Sequence, residues 1–271
     1  MVSFPNSKIN IGLRVTNKRA DGFHDIESIF FPVGLKDAVE VIEDPMNESI
    51  SYSQTGLTID AGEQDNLCVK AYNLLKKDFP SITGIKMHLH KAIPTGAGLG
   101  GGSADGAFVL KLINEKFSLQ LSGDQLIQYA LQLGSDCPFF IINKAAYATG
   151  RGEILKEIPL DLSLYKILLL NPGIHINTGW AFSKISIEKK QDKLEELITR
   201  PIGTWQHAIQ NDFEKPVFEE HPEIGALKQE LIDNGAIYAS MSGSGSTVFG
   251  IFDTKTSPSF KFPSYYFYKW V

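Results

Sequence analysis

A chain of 271 residues, 43% apolar and 21% charged, has the material for a large core and falls in the ordinary globular class, most naturally as two domains. The formal charge of -5, with no lysine–arginine cluster, argues against a nucleic-acid surface. The apolar stretch Leu162–Leu170 is interrupted by Ser163, Tyr165 and Lys166 and is too short to span a bilayer. The opening residues lack the apolar run of a secretion signal, so no membrane association and cytoplasmic residence are expected.

Lys8-Ile-Asn-Ile-Gly-Leu13 alternates cleanly and predicts a strand, with Ile9, Ile11 and Leu13 on one face and Lys8, Asn10 and Gly12 on the other. A turn through residues 18–22 leads to strands over 26–33 and 38–42. Asp65-Asn-Leu67 opens a helix over 66–77, and residues 84–90 alternate as another strand. Helices follow over 103–115 and 123–133, with Ser103 and Ser122 as candidate caps. After Asp136-Cys-Pro138 an apolar run reaches Ile142, and residues 145–149 read as an edge strand before the turn Thr149-Gly-Arg-Gly152.

The second half starts with a strand over 165–170, ended by Asn171-Pro-Gly173, and a short helix capped by Thr178. Residues 188–196 read as a surface connection or helix. A helix over 223–234 stops at Gly235, then strands over 236–241 and 247–252 flank the run Ser242-Gly-Ser-Gly-Ser246. The aromatic stretch 265–270 predicts a packed terminal strand, with a partner-contact surface as the alternative. The pattern is α+β in two halves, 1–155 and 156–271.

The densest signal is Pro94-Thr-Gly-Ala-Gly-Leu-Gly-Gly-Gly-Ser-Ala-Asp-Gly-Ala107, with five glycines between Gly96 and Gly102. Glycine loses more backbone entropy on ordering than any other residue, so such a run needs a reason. A backbone curled around an anion supplies one, and the following helix offers free N–H groups and a positive dipole end. A tight turn before an ordinary helix is the plainer alternative. The common P-loop is excluded because Gly102-Ser103-Ala104 lacks its lysine, and no acidic residue closes a dinucleotide fingerprint downstream. A nucleotide phosphate on an unusual glycine-rich loop is therefore expected.

Phosphoryl transfer also asks for a positive group and help for the attacking hydroxyl. Lys8 shares a strand face with Asn10, although a strand lysine by itself reads first as solvent-facing. Asp136 stands at a turn and reads equally as a helix cap. His24 beside Phe23 suits a planar base, or a satisfied turn histidine. The Ser242–Ser246 run is either a plain turn or a second backbone wall near the same phosphates. His88, His90, His175, His207 and His221 have no metal spacing. Cys68 and Cys137 read as small buried thiols rather than zinc ligands or a disulfide framework.

Taken in order, Lys8-Ile-Asn10, Arg19-Ala-Asp-Gly-Phe-His24, Asp65-Asn-Leu67, Gly98-Leu-Gly-Gly-Gly-Ser103, Gly134-Ser-Asp-Cys-Pro-Phe139, Asn171-Pro-Gly173 and Met241-Ser-Gly-Ser-Gly245 resemble the GHMP kinases. Within that superfamily they resemble the branch that phosphorylates the 2-hydroxyl of a cytidine-diphosphate-bearing methylerythritol in the non-mevalonate route to isoprenoid precursors. The resemblance implies a ribosomal protein S5 domain 2-like N-terminal half and a ferredoxin-like C-terminal half, with the site in the cleft between them. It implies Lys8 and Asp136 as the catalytic pair. Asp136 would orient the hydroxyl or take its proton, and Lys8 would steady the developing charge. ATP would lie on Asn66, Pro94, Thr95, Gly96, Ala97, Gly98, Leu99, Gly100, Gly101, Gly102, Ser103 and Ala104. The cytidyl substrate would meet Asn10, Phe23, His24, Thr178 and Phe182, with Phe182 a second stacking face for cytosine. Magnesium would be held mainly by ATP, with no protein ligand assigned, and the chain would be a monomer or weak homodimer. Phe23 departs from the tyrosine common there, which keeps the stacking ring and loses the phenol. Ala104-Asp105-Gly106 also departs, and leaves the role of Asp105 open.

Overall fold

The structure of the protein is a computed structural model that describes residues 1–58, 62, 65–188, 190–256 and 258–271. Elements are numbered in chain order. Strands β1 (Val2–Ser3), β2 (Asn6–Lys18), β3 (His24–Lys36), β4 (Ala38–Asp44) and β5 (Ile50–Gly56) precede helix α1 (Leu67–Asp78) and β6 (Gly84–Lys91). Helices α2 (Gly101–Lys116), α3 (Gly123–Leu133) and α4 (Cys137–Ile142) come next, followed by β7 (Ala146–Thr149), β8 (Ile154–Glu157) and β9 (Tyr165–Asn171). Short helices α5 (Thr178–Ser183), α6 (Leu194–Leu197), α7 (Trp205–Ala208) and α8 (Glu214–Glu220) lead to α9 (Pro222–Asp233). Strands β10 (Tyr238–Met241), β11 (Val248–Asp253) and β12 (Phe267–Trp270) complete the chain.

These elements form two compact units, each drawn from several stretches. The first holds Met1–Ser7, Gly34–Thr95 and Gly100–Lys144, and the second holds Lys8–Val33, Gly96–Leu99 and Ala145–Val271.

In the first unit the sheet order is β1-β4-β6-β5, with β4 antiparallel and β5 parallel to β6. The register pairs Val39 with Leu89 and Val41 with Met87, so the buried positions of both strands share one face. Helices α1 and α2 pack closely, because Gly106 takes up little room. A Cβ there would lie 3.0 Å from Leu67 Cβ. Ser122 caps α3 as expected, in a capping box with Gln125.

In the second unit there are two sheets, β2-β3-β7-β8 and β10-β11-β9-β12. Leu13, Val15 and Ile26 share one core with Leu168, Leu170, Phe213, Val217, Ile224, Leu231, Met241, Val248 and Phe252. Gly235 follows α9 at a φ of 92°, the left-handed residue that ends a helix.

Several sequence expectations change. Residues 145–149 do not make an edge strand, because β8 pairs with Ala146–Thr149 on the side away from β3. Asn177, not Thr178, caps α5, its Oδ1 accepting the Trp180 N–H at 2.8 Å. Ser103 caps nothing. Helix α2 starts earlier, at Gly101, with left-handed Gly100 in the cap position. β12 is the predicted terminal strand and pairs with β9.

Candidate active site

The glycine run makes a left-handed turn at every second residue, with φ of 64° at Gly96, 76° at Gly98 and 69° at Gly100. Side chains other than glycine adopt that conformation rarely, which accounts for the composition. Ala97 and Leu99 between them are buried and anchor the segment. Gly100 offers α2 no side-chain cap, and the first intrahelical bond runs from Ala104 N–H to Gly100 O at 2.9 Å. The N–H groups of the first turn are thus left without intrahelical acceptors, at the positive end of a 16-residue helix. Such a terminus suits an anion.

Within the second unit, the segment Gly96–Leu99 is stitched to β2 and to the Ser242–Ser246 run. Lys8 N–H donates to Leu99 O at 2.9 Å, and Ser242 Oγ donates to Gly98 O at 2.8 Å. Asn10 N–H donates to Ser242 Oγ at 3.1 Å. A Cβ on Gly98 would stand 2.0 Å from Ser242 O, so only glycine permits this approach. The two glycine-rich runs therefore lie against one another. Thr178 Oγ1 lies 2.9 Å from Ser244 Oγ in the second of them.

Lys8 does not face solvent. It is 3% exposed, its Nζ donates to Asn10 Oδ1 at 2.5 Å, and the ammonium stands 4.7 Å from the centroid of Phe30. Asn10 in turn donates to Ser28 Oγ at 2.9 Å, which donates to Gly12 O at 2.7 Å. Burying an ammonium is costly unless it is partnered, and Asn10 and Phe30 are among its partners here.

Asp136 belongs to the first unit. It occupies the cap position of α4 in right-handed conformation, yet its carboxylate makes no capping bond to the helix. The capping alternative therefore fails, and Asp136 is half-buried. Cys137 beside it is a buried thiol pushed up to about 12, mainly by burial, and Cys68 is driven up by burial as well. Neither is a nucleophile at neutral pH.

Phe23 is 54% exposed with the Arg151 guanidinium 5.0 Å from its ring centroid, a partner that no motif announces. The His24 ring stacks on Phe182, which covers a face of the ring expected to meet cytosine. Asn66 caps α1, accepting Cys68 N–H at 2.8 Å and donating to Tyr52 Oη at 2.8 Å. Among the described residues no group of three or more His, Cys, Asp or Glu side chains could hold a metal ion.

Sequence comparison places these residues in a family. Residues 66–144 match the GHMP kinases N terminal domain, and residues 193–260 match the GHMP kinases C terminal region. A 4-diphosphocytidyl-2-C-methyl-D-erythritol kinase of Bacteroides thetaiotaomicron is 50% identical over 254 residues, covering 93% of this chain and 92% of its own. A crystal structure of 4-(cytidine 5'-diphospho)-2C-methyl-D-erythritol kinase superposes with a TM-score of 0.78 at 29% identity, over 93% of this chain and 90% of its own. A homoserine kinase of Cytophaga hutchinsonii shares the fold alone, with a TM-score of 0.66 at 14% identity over 92% and 85% of the two chains. The chain belongs to the 4-diphosphocytidyl-2-C-methyl-D-erythritol kinase family of the GHMP kinases, whose two-domain fold it carries.

Proposed function

We infer that the chain transfers the γ-phosphoryl group of ATP to the 2-hydroxyl of 4-(cytidine 5'-diphospho)-2-C-methyl-D-erythritol, giving the 2-phosphate and ADP in the non-mevalonate route to isoprenoid precursors. The observation that carries this is 50% identity to a kinase of that name over 93% of the chain. The uncapped start of α2 supports it, as a seat for phosphate.

In the transfer, the bond from the γ-phosphorus to the bridging oxygen of ADP breaks and a bond to the substrate oxygen forms. The hydroxyl proton leaves to Asp136 or through it to solvent. Such a transition state is loose, so orientation and charge stabilisation matter more than strong basicity. Asp136 is assigned to the hydroxyl, and Lys8 to the negative charge that develops. The backbone of Pro94–Ala104 is assigned to the triphosphate, with Asn66 opening the segment near adenine. Asn10, Phe23, His24, Thr178 and Phe182 are assigned to the cytidyl substrate. Magnesium is taken to travel mainly on ATP, where it neutralises phosphate charge. We read the family domains as residues 1–155 and 156–271, with one matched region in each.

The test is an acceptor panel. The purified chain, given ATP and magnesium, is expected to phosphorylate the cytidyl alcohol and leave homoserine and mevalonate untouched. Turnover of homoserine or mevalonate alone would overturn the substrate assignment while leaving the kinase fold intact.

A further inference from the structure

Beneath the start of α2 lies a buried charge cluster with no part in the roles assigned above. Lys91, the last residue of β6, pairs through Nζ with Asp37 and, at 2.7 Å, with Asp105 Oδ2. The three side chains are 0–3% exposed. Asp37 Oδ1 also accepts the N–H groups of Ala92, at 2.6 Å, and Ile93, at 2.8 Å, the two residues that lead into Pro94. Asp105 lies in α2, which leads out of the loop. One ammonium thus ties the entry of the phosphate loop to its exit within the first unit.

The ammonium also reaches the loop itself. A Cβ on Gly101 would stand 2.9 Å from Lys91 Nζ and 2.8 Å from Ile93 Cγ2. Glycine at 101 lets the cation press against the first residue of the helix, at its positive end. One carboxylate would neutralise the charge of Lys91, whose ammonium has three N–H groups to place. Here a second is present, and Asp105 Oδ1 is buried with no hydrogen-bond partner. Burying the second acid carries a cost, and with Asp37 it holds the ammonium from two sides under the helix start.

We propose that Lys91 is a positioning residue for the nucleotide phosphates, a buried ammonium held by Asp37 and Asp105 that fixes the start of α2 against the entry of the loop. This rests on ATP lying along the loop, as inferred above.

The test is titration calorimetry with a non-hydrolysable ATP analogue, alongside steady-state kinetics. Lys91→Met combined with Asp105→Asn removes the ammonium and one carboxylate, and leaves Asp37 on its two N–H donors. Affinity for the analogue is expected to fall about tenfold, with the KM for the alcohol substrate and kcat at saturating ATP within about twofold. Asp105→Asn alone keeps an acceptor for Lys91 and is expected to bind within about twofold of wild type. Unchanged affinity in the double variant overturns the proposal. If that variant does not fold, Asp105→Ala takes its place. It releases the ammonium from α2, an about threefold loss is expected, and unchanged affinity again overturns the role. Gly102→Val separates the two layers of inference, since a Cβ there meets nothing within 4 Å. Unchanged binding in Gly102→Val removes the phosphates from the loop altogether. Weakened binding there, with none in the Lys91 variant, removes only the role given to Lys91.

Discussion

The imidazole of His24 lies flat on the ring of Phe182, with centroids 4.6 Å apart and planes 12° from parallel. Phe182 is held from another side by buried Phe213, edge-on at 4.9 Å. A cytosine that stacks on the covered face of Phe182 has to displace His24, while one read by the His24 edge does not. His24→Ala is therefore expected to raise the KM for the cytidyl substrate about tenfold or more, with the KM for ATP unchanged. Phe182→Leu should act in the same direction by removing the flat support. Initial-rate kinetics with each substrate varied in turn checks both, and an unchanged cytidyl KM would make the pair ordinary core packing.

Asp136→Asn is expected to lower turnover by roughly 10²–10⁴-fold, the range for a lost positioned acid–base group. Asparagine keeps the size of the side chain and no capping bond is lost, so the variant should still fold and bind ATP. Near-normal turnover would strip Asp136 of its catalytic role.

The loop and its glycines were legible in the sequence because left-handed turns and close backbone approach leave so few residues to choose from. The strand at Lys8 was legible from its alternation, but not the burial of its polar face. That burial comes from the Ser242–Ser246 run and from Phe30, which no local pattern announces. β5 went unread because Ser51, Ser53 and Thr55 look like a polar loop, and only pairing with β6 makes them a strand. The short helices between Leu194 and Glu220 were missed for a related reason, since tertiary packing stabilises segments with too few turns to show a period. Asp37 and Lys91 look like surface charges at strand ends. Only the fold brings them to Asp105.

Gly98 and Gly102 should respond oppositely to a single methyl group. At Gly98 the backbone is left-handed and the new Cβ would meet Ser242 O at 2.0 Å. Gly98→Ala is expected to cost about 2–4 kcal/mol. Gly102 is helical with open space around it, so Gly102→Ala should be neutral or stabilise by up to about 1 kcal/mol. Urea denaturation of both variants checks the contrast, and equal stabilities would place the loop in a different conformation.

Burial, with help from the nearby Asp37 charge and against the pull of Lys91, pushes the Asp105 carboxyl up to about 8. An acid whose folded value is raised holds its proton more tightly when folded. Its contribution to stability is thus complete below the unfolded value of about 4 and is lost as pH rises towards about 8. Asp105→Asn cannot ionise, so its stability relative to wild type should increase across that window and level off above it. Urea denaturation at about pH 5, 7 and 9 reads this difference, and a flat difference would mean that Asp105 stays ionised in the folded protein.

The phosphoryl acceptor itself can be read from the product. With ATP, magnesium and the cytidyl substrate, the proton-coupled ³¹P spectrum should gain one phosphomonoester resonance, with ADP formed in equal amount and the substrate's diphosphate signals retained. C2 of the methylerythritol is tertiary and carries no hydrogen, so a phosphate on its oxygen has no carbinol proton to split it and appears as a singlet. A monoester signal split by carbinol protons, or ADP formed without any new monoester, would contradict transfer to the 2-hydroxyl.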